Sequence, residues 1–144
     1  MNFEEQVAAL KARTKQFALR VIKMCQAIPK TDESRTITRQ LLRSATSVAA
    51  NYRAACRARS KAEFVAKIGI VVEEADETVF WIELIGDAKV VEVQRLQPIL
   101  KEANELLAIF SASQRTARAA KGQFSKSPNQ QINKSPGQSA GAGQ

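Results

Sequence analysis

Apolar residues recur at intervals of three and four through four successive stretches of this chain, each about 25 residues long. That spacing keeps them on one face of an α-helix. In the first stretch, roughly residues 3–27, Phe3, Val7, Leu10, Thr14, Phe17, Val21, Cys25 and Ile28 share a face. Asn2 is placed to cap it, with Glu5 three residues on to reach back. Pro29 ends it, because the residue before a proline is pushed out of helical geometry. The second stretch, roughly 34–58, carries Ile37, Leu41, Ala45, Val48, Tyr52 and Cys56, helped by Leu42 and Ala49. Its core positions are mostly small after residue 44, which predicts a close helix crossing near Ala45–Ala49. Ser60-Lys-Ala-Glu63 is a capping box that opens the third stretch, 61–87, after a very tight break. Phe64, Ile68, Val71 or Val72, Ala75, Val79, Ile82 and Ile85 form its core face. In the fourth, 92–119, the pattern is Val93, Leu96, Leu100, Ala103, Leu107 and Phe110, flanked by Ile99, Leu106 and Ile109. Pro98 either sits in the first turn of a helix that begins at about Gln97 or kinks a longer one, and the register kept by Val93 and Leu96 favours the kink. Four one-faced helices joined by short loops predict an all-α fold, an antiparallel up-down four-helix bundle over residues 1–120. From Lys121 the chain turns to Gly, Ser, Pro, Gln and Asn, so residues 121–144 are expected to be a disordered basic tail.

Composition removes several functional classes. There is no histidine, the commonest general base and zinc ligand. Cys25 and Cys56 are too few for a disulfide framework and read as buried, inert thiols. No nucleophile, metal-ligand set or glycine-rich loop accompanies the carboxylates Glu73, Asp76, Glu77, Glu83 and Asp87, which read as a solvated or salt-bridged helix side. No catalytic residue, metal or cofactor is therefore expected. No apolar run approaches the length of a membrane span, and MNFEEQVAAL is not a secretory signal, so a cytoplasmic protein without membrane partners is expected.

The charge points to polyanions. The net charge is +8 and the isoelectric point near 9.9. It alternates along the chain: +7 over residues 35–67, −6 over 68–105, +5 over 106–144. Within the second helix, Arg39, Arg43, Thr46, Ala50, Arg53 and Arg57 share a face, and no acid lies within four residues of these arginines on that helix. A solvated face is the simpler reading of a charged stripe. Like charges at this spacing repel by a few tenths of a kcal/mol per pair, so four unpaired arginines call for an acidic partner from elsewhere. With Arg59 and Lys61 at its end, the stripe is the candidate nucleic-acid-binding surface, acting on phosphate oxygens. Helix three has a second apolar face, Ile70, Trp81 and Leu84, more girth than one core needs, which suggests a second buried contact with either another subunit or the C-terminal helix. Trp81, Leu84, Ile99 and Leu106 are the candidate oligomer contacts.

IPKTDESR, RQLLRSATSVAANYRAACRARSKAEFVAKI and EEADETVFWIELI together resemble the four-helix-bundle proteins encoded in intervening sequences of bacterial 23S ribosomal RNA genes. They are also similar to the accessory variability protein of diversity-generating retroelements. The resemblance covers roughly residues 5–118; S-V-A-A-N-Y with the downstream S-K-x-E-F carries most of it. It implies a homopentameric ring and, in the retroelement branch, a basic surface that binds nucleic acid and a reverse transcriptase. The family motif often has glycine at Ala49 or Ala50 and glutamate at Ala54 or Ala55; without that acid the stripe is more basic. Two functions follow. The first is a non-catalytic, oligomeric nucleic-acid-binding accessory protein. The alternative is a ring-forming interaction scaffold, in which the arginines meet the acidic side of helix three on a neighbouring subunit. Truncation before Lys121 is expected to leave the melting temperature unchanged; a loss of several degrees in calorimetry would show that the tail packs on the bundle.

Overall fold

The computed structural model describes residues 1–120, and the expectation for 121–144 lies outside the described residues. Four helices follow one another: α1 (Phe3–Ala27), α2 (Asp32–Ala55), α3 (Lys61–Asp87) and α4 (Val93–Ala119). At 24 to 27 residues each, they are roughly 36–40 Å long. Each packs on its neighbour in sequence, α2 most extensively on α3, and α1 closes the ring against α4 along a smaller contact. Paired positions run in opposite directions. Lys61 meets Ala120, Gly69 meets Gln114 and Gly86 meets Leu96 between α3 and α4. The up-down bundle expected from the short loops is the fold.

Local chemistry sets the helix ends. Asn2 and Glu5 form a reciprocal capping box, with Glu5 N donating to Asn2 Oδ1 at 2.8 Å. Thr31 caps α2 reciprocally with Ser34. At α3 only half of the expected box forms. Ser60 Oγ accepts from Glu63 N at 3.0 Å, but the Glu63 carboxylate takes the backbone N–H of Arg59 instead. α2 also stops three residues earlier than its periodicity suggests. Arg57 and Ala58 make tight bonds to the carbonyls of Ala54 and Ala55, and Ala58 turns into the core. The α2–α3 connection is thus a five-residue loop, Cys56–Ser60, rather than a tight break. α4 continues through Pro98.

The core is one cluster drawn from all four helices, with Phe17, Leu41, Val48, Ile68, Ile82, Ile85, Leu106 and Phe110 almost fully buried. α2 and α3 contribute the faces expected of them. Ala45 and Ser44 are fully buried, and Thr78 of α3 reaches Ser44 Oγ at 2.9 Å. Two such short side chains meet only where the helices come close. The ends and one seam differ from expectation. Phe3 and Val93 lie at helix starts, beyond the neighbours that could cover them, and are 73% and 51% exposed. On α4 the buried seam is Leu96, Ile99, Ala103, Leu106 and Phe110, with Leu100 and Leu107 half-buried beside it. Ile99 and Leu106 therefore belong to the chain's own core and have no surface left for another subunit.

α3 ends in a Schellman motif. Val90 N–H bonds to Ile85 O and Lys89 N–H to Gly86 O, which places Lys89 at φ 58°. A side chain in that left-handed region is strained where glycine is not. Lys89→Gly is expected to raise the unfolding free energy by about 0.5–1 kcal/mol, read from urea midpoints. Ile82→Ala is expected to lower it by about 2–5 kcal/mol, because Ile82 is fully buried.

Candidate functional site

Where α2 gives way to α3, a shallow groove of about 490 Å³ runs between the two helices, lined by Ala50, Arg53, Ala54, Arg57, Arg59, Glu63 and Lys67. Its origin is local. Ala50 and Ala54 put only methyl groups on this side of α2, which leaves room beside α3. Arg53 rises from the last turn of α2, and Arg57 and Arg59 lie in the loop. Lys67 lies one turn past Glu63 on α3. The site thus carries four cations and one carboxylate. Arg53, Arg57 and Arg59 are exposed, and none of the four cations forms an ion pair among the described residues. Glu63 is occupied by the Arg59 backbone N–H at 3.2 Å, so its carboxylate serves the helix start.

The residues singled out in the sequence therefore separate. Arg53, Arg57 and Arg59 come together, and Lys67 joins them from α3. Lys67 lies within the same basic stretch of sequence but, two turns into α3, is not continuous with the α2 stripe, and only the packing of α3 on α2 brings it to the groove. Lys61 is half-buried, and its ammonium donates to the Ala120 carbonyl, holding the last turn of α4. Arg43, ten residues before Arg53 and so about 15 Å away along α2, is already neutralised. Its guanidinium bonds to Glu74, at 3.1 Å, and to Glu77 of α3. Arg39 is exposed a turn further on. The acid that the stripe lacks within its own helix is supplied to Arg43 by α3 of the same chain.

A second feature adjoins that cluster. Trp81 Nε1 donates to Glu77 Oε1 at 3.1 Å. Phe80 packs edge-on against the Trp81 ring, with centroids 4.8 Å apart, and is 51% exposed. Trp81 and Leu84 are half-buried. Of the four expected oligomer contacts, these two retain surface, and Phe80 stands beside them. The thiols offer little reactivity, since burial raises Cys25 to about 11 and also raises Cys56. Among the described residues no helix is long and apolar enough to cross a membrane.

The ion pairs have a pH signature. Hydrogen bonds from Arg43 and Trp81 hold the Glu77 carboxyl below its ordinary value of 4.5. A hydrogen bond from Arg13, whose Nε lies 2.9 Å from Glu102 Oε2, does the same for Glu102 across the α1–α4 seam. A lowered carboxylate contributes stability above its ordinary value and loses it as pH falls through the folded-state value. Both pairs are partly exposed, so each is worth about 0.5 kcal/mol or less. The combined variant Arg13→Gln, Arg43→Gln is expected to flatten the fall in urea midpoint between neutral pH and about pH 3. An unchanged slope would exclude these pairs as its source.

Comparison with known proteins agrees with the fold. A protein from the S23 ribosomal protein family of Bacteroides thetaiotaomicron VPI-5482, described as having unknown function, superposes with a TM-score of 0.68. It is 27% identical, and the match covers 76% of this chain and 97% of that one. No curated protein matches the chain in sequence. The model of the family described as 23S rRNA-intervening sequence protein matches residues 8–112, so the chain belongs to that family.

Proposed function

We propose that this protein is a non-catalytic, oligomeric nucleic-acid-binding accessory protein that holds phosphate backbone in the α2–α3 groove. The observation that carries this reading is the set Arg53, Arg57, Arg59 and Lys67, four cations around one groove without an ion pair among the described residues. Glu74 and Glu77, the acids of α3 that neutralise Arg43, form no ion pair with these four cations among the described residues. Guanidinium forks suit phosphate oxygens, and an alanine floor offers bases nothing to read by hydrogen bonding. The contacts are therefore sequence-independent. The family description, which refers to 23S rRNA, is in keeping with an RNA ligand. A reverse transcriptase, the partner implied by the retroelement resemblance, fits the same reading as a protein acting on the bound strand.

A second reading, a ring-forming scaffold, is favoured by the exposed Phe80 beside Trp81 and Leu84. Aromatic anchors of this kind often dominate protein interfaces. In this chain Glu74 and Glu77 are bound to Arg43, so a neighbour's arginines would meet Glu73 and Asp76, both exposed.

Two measurements separate these readings. Fluorescence anisotropy with labelled duplex DNA should give a log–log salt slope of about −0.9 per phosphate neutralised. Arg53→Gln with Arg57→Gln should flatten it by about 2 per subunit engaged, and Arg43→Gln should leave it nearly unchanged. Light scattering should show several copies of the 15.8 kDa chain, a pentamer on the family resemblance, and Trp81→Ala with Phe80→Ala should reduce their number. No binding at low salt with an intact oligomer favours the scaffold; a monomer at micromolar concentration removes the ring from both.

A further inference from the structure

One carboxylate stands among the four cations of the groove, and it pairs with none of them. Glu63 lines the groove with Arg53, Arg57, Arg59 and Lys67, yet it forms no ion pair among the described residues. The Arg59 backbone N–H donates to its Oε2 at 3.2 Å, and among the described residues nothing donates to its Oε1. Capping accounts for only part of this arrangement. At α1 and α2 the third residue of the helix bonds back to the N–H of its N-cap. At α3 that return bond is missing, and Ser60 Oγ caps the Glu63 N–H at 3.0 Å without it. The carboxylate is bonded instead to the loop that walls the groove, with one oxygen left over.

What a carboxylate can accept decides what such a groove selects. An ionised carboxylate accepts hydrogen bonds and donates none. Phosphate oxygens also only accept, and they carry the negative charge of the strand. Glu63 therefore repels phosphate at a site whose other four charges attract it. A deoxyribose backbone offers no donor within the strand, whereas each ribose carries a 2′-hydroxyl that donates as well as accepts. At about 490 Å³ the groove has room for more than a phosphate group, and Ala50 and Ala54 give it methyl groups against which the carbon face of a sugar can rest. We propose that Glu63 accepts a hydrogen bond from the ribose 2′-hydroxyl, so that the groove selects RNA over DNA. The cations seat the phosphates, and the carboxylate takes the sugar between them. This rests on the nucleic-acid reading of the groove and adds the class of strand. The selection is for the sugar and not for a base sequence.

Three strands that differ only at the 2′ position test it, with the full-length protein throughout. The probes are labelled single-stranded oligo(U) of equal length in its ribose, 2′-deoxy and 2′-O-methyl forms, titrated at low salt. The base is the same in all three, and the 2′-O-methyl strand keeps the ribose pucker but lacks the donor. The parent should bind the ribose strand about fivefold or more tightly than either of the others, as one hydrogen bond to a charged, partly exposed acceptor allows. Glu63→Gln keeps an acceptor for the Arg59 N–H and removes the charge, and Ser60 still caps the helix. It should tighten the deoxy and 2′-O-methyl strands, and the ribose preference should shrink to about twofold or less. Arg53→Gln with Arg57→Gln should weaken all three strands alike. Equal binding of the three strands by the parent would overturn the role of Glu63 and leave the groove reading standing. Ribose and 2′-O-methyl strands bound equally, both above the deoxy strand, would mean that sugar pucker is sensed and would overturn it too. So would a ribose preference that survives Glu63→Gln. If the parent binds no strand at low salt, the groove reading falls and this role with it.

Discussion

Everything placed on this molecule depends on the packing of α2 against α3. Ala45, Val48 and Tyr52 on one side face a partner helix whose Ile68, Val71, Ala75, Ile82 and Ile85 have almost no exposed surface. Burying each large apolar side chain contributes about 1.5–3 kcal/mol, more than any exposed ion pair in the structure. The interface also takes in the hydroxyls of Ser44 and Thr78, which satisfy one another and nearby carbonyls. A buried hydroxyl without a partner would cost more than its bond contributes, so this pair helps to hold one register between the helices. That register sets which charges meet.

The two ends of the same interface have opposite electrostatic outcomes. Toward the middle of α2, Arg43 faces Glu74 and Glu77, and the pairing extends to the indole of Trp81. Toward the α2–α3 loop, the acids of α3 give out: between Lys61 and Ile70 its only carboxylate is Glu63, engaged by the backbone of Arg59. Excess positive charge thus collects where two alanines leave space and the loop adds two further arginines. A bundle that neutralised its charge evenly would have no such end. The concentration of cations that are unpaired among the described residues is the physical basis for a polyanion partner.

The opposite half of α3 has a different character. Phe80 and Trp81 form an edge-to-face pair on the outside of the bundle, and the Trp81 indole is oriented by a carboxylate that Arg43 also holds. An aromatic side chain held in one orientation loses little entropy on contact. The charge surface and the aromatic surface are therefore built from the same two helices and linked through Glu77.

Periodicity alone determined four helices, their order and, for the first three, most of the residues they bury. A spacing of three and four leaves only one face to hide, and short loops leave only an antiparallel neighbour. The absence of histidine and the basic balance were equally open to reading, being properties of composition. Three things were decided only by tertiary structure. On α4, Ile99 and Leu100, like Leu106 and Leu107, are adjacent apolar pairs, and only the position of the neighbouring helices determines which member is buried. Along α2 the arginines look equivalent, because a single helix carries no information about the acids opposite it. Arg43 was separated from Arg53 and Arg57 by the place where α3 keeps its carboxylates. Lys61 and Lys67 are both lysines near the start of α3, and one holds the end of α4 while the other lines the groove, because six residues turn them about 120° apart around the helix. Sequence spacing defines which residues share a face; packing alone defines what that face meets.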